Sequence, residues 1–343
     1  MKRSKVSVLL TAALAGVLAA TLATPASADS TPQPKDIVGV GSDTSQFALN
    51  YLADGVVSGT FVSGFNSAAA GARLVSFDAL VETNIPNPAG GFFADTRPVV
   101  LKAGTPAVAR PNGSGNGKLA LYAGTNNVNV NFARSSSGPS GAENTAGLWH
   151  VPFAVDGLKL VTATTSNAPA AITPAQMVDI YKGITTNWNQ IGGANGVIVP
   201  YIPQAGSGTR SFFEAQLKAA NGGVTVVLGA NVQVSQEHDD APIAANANAV
   251  APFSTGRFAT ATGIKLVNGA GSFTAQRALY NVVRSADLTK PWFSDVFGAD
   301  GFVCSGSGFA LIAKAGFAQL AGPLDGGVCG VPTQAATTNF LSN

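Results

Sequence analysis

Residues 197–220 read VIVPYIPQAGSGTRSFFEAQLKAA. Val197 to Ile202 is a run of β-branched and aromatic residues around one Pro, which predicts a buried-type strand. Gln204-Ala205-Gly206-Ser207-Gly208-Thr209-Arg210 follows as a turn, and Ser211 to Ala220 is predicted as a helix. Strand, glycine-rich turn and helix in succession argue for α/β architecture. The first N–H groups of a helix lack internal partners, and the dipole there is positive. Glycines let the backbone approach a ligand, and the hydroxyls of Ser207 and Thr209 add donors. Arg210 brings a planar fork that binds two oxygens at once. The turn therefore suits an anion, although the same residues also make a plain Ser/Thr N-cap beside a Gly turn.

The same unit recurs along the chain. Asp36 to Gly41 reads as a first strand and runs through Gly41-Ser42-Asp43-Thr44 into a helix from Gln46 to Leu52. Arg73–Phe77 and Val128–Phe132 are further strands, the second followed by Ala133-Arg134-Ser135-Ser136-Ser137-Gly138. Residues 84–98 and 103–117 are rich in Pro, Gly and Asn and are expected to be long loops. The second of them holds Arg110-Pro111-Asn112-Gly113-Ser114. It is not a nucleotide P-loop, because Asn112 stands where the first Gly belongs and Leu119 where Ser/Thr is required. Four strand ends thus share hydroxyls, backbone N–H groups and Arg. In open α/β sheets ligands bind outside the carboxyl ends of strands, and this chemistry suits a small tetrahedral oxyanion.

The rest of the chain continues the alternation. Val151 to Ala163 is a β-prone run, and Thr173-Pro174 starts a helix that Gly183 ends. Val224–Val234 is strand-like, Asp239–Asn246 a helix, 264–267 and 277–283 strands, and Ser307–Lys314 strand-like. Catalytic patterns are weak. There is no Gly-x-Ser-x-Gly elbow. Two histidines, His150 and His238, are too few for a Cys/His zinc site. Glu237-His238-Asp239-Asp240 reads as a helix start with dipole-favoured acids rather than a metal set.

Composition sets the class. The 343 residues are 46% hydrophobic and 11% charged, so a large core forms and disorder is excluded. Residues 1–28 read as a secretory signal: Lys2-Arg3-Ser4-Lys5, an apolar run from Val6 to about Ala20, then Ala26-Ser27-Ala28. No Cys lies near that cleavage site, so a lipid anchor is not expected. Beyond the leader 17 basic residues face 18 acidic ones, which excludes a basic nucleic-acid footprint. Cys304 and Cys329, in an exported chain, are expected to form one disulfide.

These segments resemble the periplasmic phosphate-binding proteins of ABC importers, the PstS family, in a secreted Gram-positive form. The resemblance is carried by Ile172–Trp188 (ITPAQMVDIYKGITTNW), by Gln204–Arg210, by Gly113-Ser114 and by Asn248–Ser254. It implies a two-lobed periplasmic-binding-protein fold of type II with two crossover strands. Lobe 1 would be 29–157 plus 276–343, and lobe 2 158–275. It implies a secreted or cell-surface, monomeric, non-enzymatic protein without cofactor or metal. That protein would capture inorganic phosphate in the cleft and serve an ABC permease. Ser207, Gly208 and Thr209 match the family's Ser-Gly-Thr. Ser114 matches its Gly-Ser, and Asp43 and Thr44 its first strand-to-helix turn. Ser114, Ser135, Ser136, Ser207 and Thr209 would donate hydroxyls, and Gly208 and Thr44 backbone N–H. Arg110, Arg134 and Arg210 compete as charge partner, with Arg210 and Arg134 favoured.

Two departures stand out. The family Arg is Pro203 here, and the family Asp that accepts the proton of hydrogen phosphate is Ser136. Asp43 is assigned that acceptor role, with Asp239 as the other candidate. The departures also motivate a second reading, a surface interaction protein that keeps the fold without transport. A third, weaker reading is a secreted phosphoester hydrolase.

Overall fold

The chain enters through β1 (Ile37–Gly41), α1 (Gln46–Asp54), the hairpin β2 (Val56–Ser58) and β3 (Thr60–Val62), and β4 (Leu74–Ser76). The computed structural model describes residues 31–67, 71–86, 92–95, 97–122, 124–320 and 327–335. The expected signal segment, 1–28, lies outside them. Next come β5 (Val81–Pro86), β6 (Phe92–Asp95), β7 (Val99–Val100), β8 (Ala107–Val108), α2 (Ser114–Leu119), β9 (Phe132–Ser135) and α3 (Gly141–Thr145). A long strand, β10 (Leu148–Ala163), leads to α4 (Pro174–Tyr181), β11 (Val199–Pro203), α5 (Gly208–Ala220), β12 (Gln233–Ser235), α6 (Ala241–Ala244), β13 (Ala249–Ser254), α7 (Thr255–Phe258) and β14 (Ile264–Leu266). A second long strand, β15 (Thr274–Arg284), precedes α8 (Pro291–Val296) and α9 (Gly306–Lys314).

Among the described residues nine strands share one sheet in the order β12-β11-β13-β10-β15-β9-β1-β4, with β14 also on β10. β10 and β15 run antiparallel through its middle, from Leu148↔Arg284 to Lys159↔Thr274. Parallel pairs lie at both ends: β1 with β4 and β9, and β11 with β12 and β13. Helices cover the sheet, and this is the α/β arrangement expected.

The core falls into two groups. Two clusters draw their buried members only from Leu158 to Ala275, around Trp188, Tyr181 and Phe213 and around Val161, Ile243 and Phe253. Two others draw only on 37–154 and 278–317. The changeover falls between Ala154 and Leu158 and between Ala275 and Ala278, inside β10 and β15.

The helix starting at Thr173 forms as expected. Thr173 accepts from the Gln176 N–H, and Gln176 Oε1 accepts from the Thr173 N–H at 2.8 Å. This reciprocal capping box satisfies two end donors. Gly183 follows at φ 74°. Cys304 and Cys329 are disulfide-bonded.

Several local expectations are corrected. Residues 84–98 and 103–117 are not plain loops, since they contribute the end of β5, β6, β8 and most of α2. Gly104, at φ 82°, lets the β7–β8 connection turn back sharply. Ser307–Lys314 belongs to the helix α9, not a strand. Ser305 caps it by accepting from the Gly308 N–H at 3.1 Å, and Gly308, Leu311 and Ile312 make a helical buried stripe. In 224–234 only the last two residues enter a strand, and Val224 and Val227 point to solvent. The strand expected from Val128 begins at Phe132, because Asn131 turns its side chain to accept from the Val38 N–H at 3.0 Å.

Candidate functional site

A buried polar cluster forms where four of these segments meet. The β1–α1 turn supplies Ser42 and Thr44, the start of α2 Ser114, and the end of β9 Ser136. The start of α5 supplies Ser207, Gly208 and Thr209, and all of these side chains are at most 1% exposed. Ser136 Oγ is the hub, 3.2 Å from Ser42 Oγ, 3.2 Å from Thr44 Oγ1 and 3.3 Å from Ser114 Oγ. Thr44 Oγ1 lies 3.3 Å from Thr209 Oγ1. The Ser136 N–H donates to Ser114 Oγ at 3.0 Å. Ser207 accepts from the Arg210 N–H at 3.0 Å, which fixes the N-terminus of α5. Gly208 abuts Ser114 and Ser136 so closely that a Cβ would strike both hydroxyls.

Two charged side chains that the sequence reading did not assign enter this cluster. Arg277, on β15 and fully buried, donates through Nη2 to Thr209 Oγ1 at 2.7 Å and to Thr44 Oγ1 at 3.4 Å. The same guanidinium pairs with Asp156, its register partner on β10, at 2.8 and 3.1 Å. Its Nη1 is buried without a hydrogen-bond partner among the described residues. Glu237, 3% exposed, accepts through Oε1 from Thr44 Oγ1 at 2.8 Å and from the Thr209 N–H at 3.4 Å. Its Oε2 is buried and unpartnered. An unpartnered buried donor and an unpartnered buried acceptor thus border one set of hydroxyls. Leaving such groups unmatched costs about 1–3 kcal/mol each, more when charged.

The other expected residues lie beside the cluster with partners of their own. Asp43 Oδ2 accepts from His238 Nδ1 at 2.7 Å, and Oδ1 is 3.7 Å from Arg257 Nη1. Burial works to raise its carboxyl. Arg257, the hydrogen bond and charge of His238, and Arg134 outweigh that and hold it below the ordinary value. Arg134 donates to the carbonyls of Ser42 and Gly41 and to Ser76 Oγ. Complete burial lowers it to about 10, which still leaves it charged, so its role is to brace the β1–α1 turn. Arg110 donates to the carbonyls of Asp78 and Arg97. Arg210 pairs with Glu214 on the helix surface at 2.9 Å and reaches the Pro203 carbonyl. Ser135, the last residue of β9, donates to the Ser137 carbonyl at 2.8 Å. Asp239 accepts from the Ala241 N–H outside the cluster.

Glu237-His238-Asp239-Asp240 therefore does more than begin a helix: its first two side chains reach the β1–α1 turn. A signal for these residues existed. Asp156 and Arg277 are charges inside apolar strand runs, and such charges are buried only when paired. Among the described residues no group of three His, Cys, Asp or Glu side chains is placed to hold a metal.

A family model for the PBP superfamily domain matches residues 93–295. No curated protein matches the sequence. Among solved structures, a putative phosphate ABC transporter substrate-binding protein with bound phosphate from Clostridium perfringens is similar. It aligns at a TM-score of 0.59 and 20% identity over 83% of this chain and 99% of that one. An ABC-type phosphate transport receptor from Vibrio cholerae aligns at 0.54 and 19%, over 83% and 100%. At these identities the likeness establishes a shared fold, that of the two-lobed periplasmic binding proteins.

Proposed function

This chain belongs to the PBP superfamily, and on that premise we propose that it is an exported, non-enzymatic solute-binding protein that captures phosphate for ABC-type uptake. The observation that carries this reading is the buried cluster in which Arg277 Nη1 and Glu237 Oε2 are unpartnered around Ser42, Thr44, Ser114, Ser136 and Thr209. Phosphate fits both sides of that chemistry. Its oxygens accept from the guanidinium, the hydroxyls and the Gly208 N–H at the start of α5. Its remaining proton goes to a carboxylate, which sulfate has no proton to satisfy. A buried array of this kind is what a ligand site requires and what a surface interaction protein does not.

The residue roles follow. Ser114, Ser136 and Thr209 donate hydroxyls, Gly208 and Thr44 backbone N–H, and Ser207 fixes the helix end. Arg277 is the charge partner in place of Arg210 and Arg134, and Glu237 is the proton acceptor in place of Asp43. The two lobes are 29–157 plus 276–343 and 158–275, which the separate core groups support. β10 and β15 cross between them, so closure is a rotation about those strands. Residues 1–28 direct export.

The test is calorimetric titration of the chain from Asp29 with phosphate, then sulfate, after unfolding and refolding to strip bound anion. Phosphate binding with sulfate rejected is the expected result. Arg277→Lys keeps the charge but loses the fork, and should weaken binding about tenfold. Arg277→Met with Asp156→Asn removes both partners and should weaken it roughly a hundredfold or more. Wild-type affinity in that double variant would remove Arg277 from the site.

A further inference from the structure

We infer that Lys118 and Glu143 are positioning residues for the anion site: their buried ion pair fixes where Ser114 and Ser136 hold their hydroxyls, and so sets anion affinity without touching the anion. The inference rests on the phosphate-binding reading above. Ser114 and Lys118 are the first and fifth residues of α2, so they share one face of that helix, and both are buried. Lys118 Nζ lies 2.7 Å from Glu143 Oε1 of α3 and donates to Ser137 Oγ at 3.0 Å. The paired side chains are 6% and 9% exposed. Thus α2 carries a site hydroxyl in its first turn and a buried charge one turn further on.

The pair also reaches the second hydroxyl. Ser135 Oγ accepts from the Ser137 N–H at 3.2 Å and donates to the Ser137 carbonyl at 2.8 Å, which folds 135–137 into one tight turn. Ser136 stands at its middle. Its N–H donates to Ser114 Oγ at 3.0 Å, and its Oγ is 3.3 Å from the same atom. Lys118 therefore grips the residue next to Ser136 from the same helix that presents Ser114. Glu143 is fixed in turn, because its Oε2 accepts from the Ser140 N–H at 3.0 Å in the capping box that starts α3. His150 of β10, fully buried, brings Nε2 to 3.6 Å from that oxygen. Burial and the charge of Lys118 keep the ring neutral, so Lys118 is the cation that balances Glu143.

A buried ion pair adds little net stability, because desolvation offsets its attraction. What it does supply is geometry. Binding groups keep their aim only when the side chains behind them are locked in place. Here α2, the turn after β9 and α3 converge on one ammonium group, and two of the three carry a site hydroxyl.

Lys118→Met with Glu143→Gln removes both charges and nearly keeps the volume. In calorimetric titration of the chain from Asp29, this double variant should bind phosphate about tenfold more weakly, with unfolding still cooperative. The same pair of changes in a Ser136→Ala background should cost about threefold or less, since the hydroxyl it positions is gone. A pair that only supports the fold would cost the same in both backgrounds. Amide NMR of the anion-free chain reads the placement directly: the Ser114 and Ser136 cross-peaks should move in the double variant, while those of α4 stay. Glu143→Gln alone, with a smaller loss, serves if the double variant does not fold. Wild-type affinity, or equal losses in the two backgrounds, overturns the inference. If wild type binds no phosphate, the ligand assignment falls. The NMR then decides the positioning role by itself, and unmoved Ser114 and Ser136 cross-peaks end it.

Discussion

On the phosphate-binding reading, one carboxylate, Glu237, decides between anions. Its Oε1 accepts from Thr44 and Thr209, while Oε2 is buried without a hydrogen-bond partner among the described residues. A ligand that brings a proton satisfies it, and a ligand that brings only lone pairs meets repulsion. Glu237→Gln replaces a pure acceptor by a group that also donates. Phosphate affinity should fall, sulfate affinity should rise, and the ratio of the two should narrow about tenfold or more by competition titration. An unchanged ratio would leave the discrimination to other residues. Asp43, the acceptor expected from sequence, is engaged by His238 and Arg257. Residue type pointed to a carboxylate, but which carboxylate depends on contacts between residues 195 apart.

At the scale of elements, α5 is the clearest case. Its amphipathic sequence, Ser207 cap and glycine-rich entry were legible in the chain, and the helix runs from Gly208 to Ala220. What its entry abuts was not. Gly208 touches Ser114 and Ser136, so a methyl there must displace a hydroxyl. Gly208→Ala should abolish measurable phosphate binding while far-UV circular dichroism and cooperative unfolding remain, since Ala is a good helix former. Retained binding would place the anion elsewhere. The helix α9 makes the complementary point: a short apolar run does not distinguish a strand from a buried helix by periodicity alone.

At the scale of the whole molecule, buried ionisable groups set the response to acid. His150 is fully buried on β10, and desolvation, aided by the charge of Lys118, holds it well below its ordinary value. The folded chain keeps it neutral while the unfolded chain protonates it near pH 6.5. Its contribution to stability is therefore lost as pH falls below that point, by about 1.4 kcal/mol per pH unit. Asp43, whose folded value is depressed, adds a loss in the same direction at lower pH. Asp78 and Asp239, both raised by burial, act in the opposite sense. Thermal unfolding from pH 7 to 5 should show a falling Tm that His150→Leu flattens. Equal slopes would mean that His150 is protonated without cost in the folded chain.

The sequence alone determined what short-range chemistry dictates: an α/β chain, one cysteine pair, and hydroxyl-bearing turns at four strand ends. Ser114, Ser136, Ser207, Gly208 and Thr209, which meet in the buried cluster, were legible as candidates because a hydroxyl or glycine at a strand-to-helix turn is a local feature of the chain. Tertiary structure alone decided which charges join them. Arg277 lies 68 residues from Thr209, and Glu237 lies 193 from Thr44. Electrostatic partnership depends on distance in space and on burial, and in this chain both are set by how β10 and β15 cross.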